Sequence, residues 1–281
     1  MKQLLQNMKS GQVYVAEVPV PNPGPGMALV RTANSLLSAG TEQMPVFFAK
    51  KGLFGKARSR SGAVREMLNN TRREGLITTV ETTINKLDRP LALGYASAGT
   101  IIQTGPGLQG FKVGDRVACA GEGYAVHAEY ATIPQNLMVP IPDGVDFEQA
   151  AFATLGAIAM QGFRLADVQV GARVGVIGLG LLGLMAAGIA NAAGCQVLGV
   201  DLDPARAQLA LRVGAQVAVN RDQALEAAGA FSDGRGLDAI LICVDTAESD
   251  PFELAGELAR DRAKGVVVGS LGMTVSHKPY F

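Results

Sequence analysis

The chain has 281 residues, with 25 basic and 25 acidic side chains, 48 % hydrophobic residues and 35 glycines. That length and apolar content suit one large or two modest globular domains and exclude a disordered chain, and the even charge balance gives no general reason to expect nucleic acid. Three scattered cysteines (Cys119, Cys195, Cys243), no CxxC spacing and two histidines (His127, His277) exclude a disulfide framework, a thiolate zinc knuckle and any site built on several histidines.

In chain order, the N-terminal MKQLLQNMKS reaches polar residues too soon for a signal peptide. Strands are predicted over 12–18 and 27–32, joined by the turn-rich PVPNPGPG, and the segment SAGTE follows at 38–42. Residues 49–90 change character, with ten basic and four acidic residues and helical spacing over 63–70 and 76–87, which reads as a basic helical insertion. From Leu91 short apolar runs again end at Gly, Pro or Asp, the pattern of a curved, barrel-like β domain. A helix is predicted over 147–163, started by PDGVD.

The second half alternates strands (173–177, 196–200, a short one ending at 220, 237–244, 265–269) with helices (181–193, 204–213, 252–260). Near-continuous apolar strands between helices describe an α/β, doubly wound parallel sheet covered on both faces. The domain boundary is placed near 150, giving domains of 1–150 and 151–281. Residues 174–200 run 27 positions without a charge, but seven glycines, Asn191 and Gln196 interrupt them and they divide into strand, turn, helix and strand. No membrane span is expected, and the chain reads as cytoplasmic.

The strongest chemical signal is Gly178-Leu179-Gly180-Leu181-Leu182-Gly183, a GxGxxG set between a hydrophobic strand and a helix. There the first glycine serves the tight turn, the second the approach of a pyrophosphate and the third helix–sheet packing, with the helix N-terminus facing the phosphates. Asp201 follows Gly183 by 18 residues, near the offset of a carboxylate that binds the adenosine ribose; Leu202 lies beside it. A carboxylate there repels a 2′-phosphate, so NAD(H) is favoured over NADP(H), with Arg206 as the opposing charge. Cys243, Val244, Gly269 and Ser270, at the ends of later strands, should border the same crevice. The three cysteines read as small buried hydrophobes.

With these residues in view, the chain resembles the medium-chain dehydrogenase/reductase superfamily of alcohol dehydrogenase-like proteins. Gly94-Tyr95-Ala96-Ser97-Ala98-Gly99 occupies that family's GHExxG segment, Gly114-Asp115-Arg116-Val117 matches its GDRV turn, and His127-Ala128-Glu129-Tyr130 the strand that follows. The resemblance implies a GroES-like, barrel-like catalytic domain beside a Rossmann domain, with a substrate cleft between them. The insertion and SAGTE particularly resemble the dehydrogenase-like module of bi-domain oxidoreductases. It follows that a second oxidoreductase module, a completing C-terminal chain or a second copy is an expected partner. Against the family pattern, the chain is expected to lack the last Rossmann strand and the return segment.

The family's zinc-ligand positions fall on Ser38, Tyr95 and approximately Thr154, whose hydroxyls are poor zinc ligands, and the four-cysteine structural lobe is absent, so no catalytic or structural zinc is expected. The resemblance then leaves Ser38, Thr41, Tyr95 and Thr154 as hydroxyl donors and Glu42 as proton acceptor, while His127 reads as structural. The leading expectation is a zinc-independent, NAD(H)-dependent oxidoreductase module that transfers hydride between the cofactor and an alcohol/carbonyl substrate, sugar-derived compounds included. The alternatives are a catalytically inactive nucleotide-binding structural or regulatory subunit and an NADPH-dependent quinone or enone reductase.

Overall fold

The computed structural model describes residues 1–8, 10–38 and 90–272. The helices predicted over 63–70 and 76–87, Thr41 and Glu42, and residues 273–281 lie outside them. The chain divides into two units, Met1–Thr154 and Leu155–Phe281.

The first unit holds β1 (Lys2–Gln6), β2 (Val13–Glu17), β3 (Met27–Ser35), β4 (Leu91–Ala92), β5 (Ala96–Thr104), β6 (Arg116–Ala120), β7 (Tyr130–Pro134) and β8 (Met138–Pro140). They form two antiparallel sheets, β2-β1-β4 and β7-β3-β5-β6-β8. The larger sheet curves around Ala28, Val30, Ile101, Val117, Cys119, Ile133 and Met138. The first sheet is tied to the segment before β7 by the Gln3–Ala128 bridge, by the Leu4 N–H donating to the His127 carbonyl at 2.9 Å and by the Glu129 N–H donating to the Lys2 carbonyl at 3.1 Å. β1 was not predicted, because MKQLLQ places adjacent leucines between polar residues instead of alternating.

The helix predicted over 147–163 is two helices, α1 (Phe147–Ala150) and α2 (Ala153–Ala166). α1 starts on a capping box in which Asp146 accepts from the Gln149 N–H and the Gln149 side chain returns to the Asp146 N–H. The break has a packing cause. Ala150 and Ala151 cover Ala98, Ala118 and Ile141 of the first unit, whereas Ala159 and Ala166 of α2 belong to the core of the second.

The second unit is a parallel sheet of β9 (Arg173–Ile177), β10 (Gln196–Val200), β11 (Val217–Val219), β12 (Leu237–Ile242) and β14 (Ala259–Val267), in the order β11-β10-β9-β12-β14. Alanines of α3 (Leu181–Ala192) and α4 (Pro204–Arg212) pack on one face. α5 (Ala224–Phe231) and α6 (Asp250–Leu258) cover the other through Ala224, Ala228, Leu254, Ala255 and Leu258. The uncharged run 174–200 is thus β9, turn, α3 and β10. α4 opens as its sequence implies, with Asp203 accepting from the Ala205 N–H and Pro204 in the first turn.

Three features depart from the sequence reading. α5 was not predicted, and a 3₁₀ turn at Arg221–Gln223 precedes it. α6 ends at Leu258, and β14 begins at once, because Leu237 pairs with Ala259 and the next pair, Ala239 with Lys264, is reached only after a bulge that holds Arg262 at φ 63°. β12 stops at Ile242, and Asp245–Thr246 instead forms a separate short strand, β13, beside β15 (Ser270–Leu271).

Candidate functional site

The order β11-β10-β9-β12-β14 sends the chain outward from β9 in one direction and from β12 in the other. Crevices of such sheets lie beyond the carboxyl ends of the strands at this reversal. GxGxxG lies there, between β9 and α3.

Its three glycines have different physical reasons. Gly178 sits at φ 88°, and a Cβ on it would meet Val244 Cγ1 at 2.5 Å. Gly183 packs so closely on the loop that an added Cβ would overlap the Gly178 carbonyl oxygen, with Cys243 Cβ also at 3.4 Å. Gly180 has φ −68°, and a Cβ built there meets nothing within 4 Å. The protein's own packing therefore does not require glycine at 180, the N-cap of α3. This cap offers no side-chain hydrogen bond, and the first turn carries no acid, so first-turn N–H groups and the positive end of the helix dipole face an open space.

Asp201 is buried immediately after β10. Its Oδ2 accepts from the Leu179 N–H at 2.6 Å, and its Oδ1 from the Asp203 N–H at 2.8 Å. The carboxylate thus anchors the glycine loop from beneath, a role that its offset along the chain does not reveal because the offset carries no information about loop partners. An ionised carboxylate has about four acceptor sites, so two bonds leave capacity for a ribose hydroxyl. Arg206 Nη1 stands 3.8 Å from Asp201 Oδ2 and its Nε 3.7 Å from Asp203 Oδ2, with the guanidinium side chain 55 % exposed. Leu202 is 77 % exposed, and its carbonyl accepts from the Asn220 side chain at 3.2 Å.

The later strand ends converge on the same loop. The Cys243 N–H donates to the Ile177 carbonyl, the Gly178 N–H to Val200, and the Val268 and Gly269 N–H groups to Ile242. A Cβ on Gly269 would overlap the Val244 carbonyl. Cys243, Val244 and Gly269 are therefore packing partners of the glycine loop, while Ser270 is exposed in β15. Desolvation pushes the thiols of Cys119 and Cys243 up to about 12, so both are protonated at neutral pH.

In the first unit, Ser38 and Tyr95 lie near the ends of β3 and β5 and Thr154 is bonded to β6, while Thr41 lies outside the described residues. The Leu36 N–H donates to the carbonyl of Ala96, the residue after Tyr95, and Ser38 is buried; the Tyr95 carbonyl accepts from the Gly121 N–H beyond β6. Thr154 Oγ1 donates to the Cys119 carbonyl at 3.3 Å, so its proton is engaged by backbone. His127 Nδ1 lies 2.8 Å from Ser35 Oγ. Glu42 lies outside the described residues. Among the described residues, no group of three or more His, Cys, Asp or Glu side chains is placed to hold a metal ion, and no helix is long and apolar enough to cross a membrane.

Comparison with known proteins gives matches across both units. Residues 182–280 match the family described as zinc-binding dehydrogenase, and residues 70–143 the alcohol dehydrogenase GroES-like domain. Sorbitol dehydrogenase of Bacillus subtilis (strain 168) is 29 % identical over 209 residues, covering 64 % of this chain and 58 % of that protein. Quinone oxidoreductase of Pseudomonas aeruginosa is 33 % identical over 129 residues, covering 45 % and 40 %. The chain thus spans about half the length of the curated relatives it matches. In fold it is similar to the mycobacterial protein Rv1454c complexed with NADPH, with a TM-score of 0.73 and 21 % identity over 99 % of this chain and 78 % of that one.

Proposed function

From the premise that the chain belongs to the medium-chain dehydrogenase/reductase superfamily of alcohol dehydrogenase-like proteins, we propose that it is an NAD(H)-dependent oxidoreductase module acting on an alcohol/carbonyl pair without catalytic zinc. The observation that carries this reading is Gly180. Its missing side chain serves no internal contact, and it opens the α3 N-terminus, beneath which Asp201 anchors the loop. A pyrophosphate fits that space, taking first-turn N–H groups as donors. Asp201 uses its remaining acceptor capacity for the adenosine ribose, and its charge, with that of Asp203, opposes a 2′-phosphate. When bound, the nicotinamide supplies or accepts the hydride.

Zinc is poorly suited to the candidate donors. Ser38, Tyr95 and Thr154 offer neutral hydroxyls, and that of Thr154 already donates to the Cys119 carbonyl. In our reading Tyr95 polarises the substrate oxygen by hydrogen-bond donation, with Ser38 and Thr154 orienting it and Glu42 accepting the proton. A second oxidoreductase module is the partner we expect.

Calorimetric titration with NADH and NADPH tests the proposal. Saturable micromolar NADH binding, weaker for NADPH, is expected, followed by turnover of alcohols or sugar alcohols. Silence toward both dinucleotides from a folded sample would overturn it, and binding without turnover would favour a structural or regulatory subunit. The half-exposed Arg206 supports a second reading, an NADPH-dependent quinone or enone reductase, in which its guanidinium leaves Asp201 and Asp203 for the 2′-phosphate. Tighter NADPH than NADH binding would select that reading.

A further inference from the structure

β2 is the outer strand of the small sheet β2-β1-β4 and pairs with β1 in an unbroken antiparallel register, from Lys2 with Glu17 to Gln6 with Val13. Its hydrogen-bonding direction alternates along the chain. The Gln12 carbonyl accepts from the Asn7 N–H, and Val18 exchanges both its N–H and its carbonyl with Met1, so residues 12, 14, 16 and 18 turn toward β1. Val13, Val15 and Glu17 therefore turn their N–H and C=O groups outward, where none of the described residues bonds them.

Strand edges are ordinarily blunted by lysine, proline, a bulge or a covering segment. VYVAE has neither lysine nor proline, its ladder has no bulge, and Val13 and Val15 are 42 % and 62 % exposed. The open stretch is bounded at both ends. Pro19, at the next outward position after Glu17, has no N–H, and the Gly11 N–H before Val13 is already donated to the Asn7 carbonyl at 2.8 Å. An antiparallel strand centred on Val15 uses every outward group between those limits, and β2 itself has that form. Val15 then meets Val15 of a second copy, and Val13 meets Glu17 on either side, each pair exchanging two N–H···O bonds. This register also keeps like charges apart. The two Glu17 carboxylates stand about 14 Å from each other along the strands, beyond the screening length of about 8 Å. The chain's formal net charge of zero adds no long-range repulsion between copies.

We propose that the outer edge of β2 is a homodimer interface, in which two copies pair antiparallel about Val15 and join their three-stranded sheets into one continuous sheet. The Val15 side chains of the two copies then cover one another at the twofold axis. Such a contact is isologous: it closes on itself and leaves no β2 edge for further growth. β2 lies in the first unit, so the interface stands whether or not the second unit binds a dinucleotide.

Sedimentation velocity of the full chain, from micromolar to several hundred micromolar, tests the interface, with circular dichroism and melting to establish folding. The parent is expected to show a reversible monomer–dimer equilibrium. Val15→Lys sets two like charges against each other at the axis and should weaken the dimer at least about tenfold with the melting curve unchanged, and Val15→Glu should do the same. An equimolar mixture of the two variants should recover the dimer, which a merely destabilised fold would not do. Cross-linking reads the register. Val15→Cys should form an intermolecular disulfide on mild oxidation, because directly opposed Cα atoms lie about 5.5 Å apart, whereas Val13→Cys, opposite Glu17, should not. A parent that stays monomeric throughout overturns the second copy as occupant in favour of a strand from a different chain. A dimer that folded Val15→Lys leaves within twofold of the parent overturns the β2 edge as its interface, and cross-linking of Val13→Cys as readily as Val15→Cys overturns the pairing about Val15.

Discussion

Gly180 and Gly183 lie three residues apart in one motif, yet the structure assigns them opposite sensitivities. Gly180→Ala places its methyl group in open space at a φ of −68°, so stability should change by under about 1 kcal/mol, the range of N-cap exchanges. NADH affinity should nevertheless fall at least about tenfold, since the methyl group occupies the approach to first-turn N–H groups. Gly183→Ala drives a methyl group into the Gly178 carbonyl and should cost stability of the order of 2 kcal/mol or more. Urea melts beside calorimetry separate the two outcomes; equal stability losses would contradict the assignment. Asp201 is a third case. Asp201→Ala strips acceptors from the Leu179 and Asp203 N–H groups, so it should destabilise the unit by about 1–3 kcal/mol and weaken both NADH and NADPH. Loss of NADH binding alone, with unchanged melting, would show that the carboxylate serves only the ribose. The sequence pattern located these residues because glycine and carboxylate chemistry is tied to the turn they must make. It did not show that Asp201 holds the loop, since such a bond depends on how β9 and β10 stand side by side.

At the scale of elements, Asp238 near the start of β12 joins three strands. Its Oδ2 accepts from the Arg173 N–H of β9 at 2.7 Å, and its Oδ1 from Arg260 Nε of β14 at 2.6 Å. Partial burial works against the charged form, but the Arg173 N–H and the Arg260 guanidinium outweigh it and hold the carboxyl below its ordinary value. A carboxyl whose folded value is depressed contributes stability that is present above its unfolded value, about 4, and lost as pH falls through the folded value. The parent's unfolding free energy should therefore decline as pH falls below about 4 more steeply than that of Asp238→Asn. Parallel slopes in acid urea titrations would remove Asp238 from this role. The β14 bulge beside Asp238 was not legible in the sequence, because ARDRAK shows no apolar period and its path is fixed only by pairing with β12. The break between α1 and α2 was hidden for a related reason. The alanine-rich run is helical throughout by propensity, and its division comes from two separate cores drawing on it.

For the whole molecule, the division into a β unit and a parallel α/β unit was readable from the change of period alone, since strands of the second half are apolar on both faces while those of the first are punctuated by turns. Catalysis is less legible than fold. Hydroxyl side chains such as Ser38, Tyr95 and Thr154 serve packing, capping and chemistry alike, and only a bound substrate distinguishes those uses. One expectation still belongs to the molecule as a whole. Exhaustive dialysis against a strong chelator should leave NADH affinity and any turnover unchanged, and metal analysis should find well under about one zinc per chain; loss of activity restored by zinc would refute the zinc-free reading.

The knot behind the glycine loop has a bearing on ancestry. Gly178 and Gly269 close directly on Val244, and Gly183 on the adjoining Cys243. Three segments far apart in the gene thus share one keystone. A side chain at position 178 would meet Val244 Cγ1 and one at position 269 the Val244 carbonyl, so substitutions at these two glycines should be accompanied by change at position 244. A lineage that rebuilds the crevice for a different ligand is therefore freer to begin at position 180, where an added side chain meets nothing, than at the glycines that close on Val244.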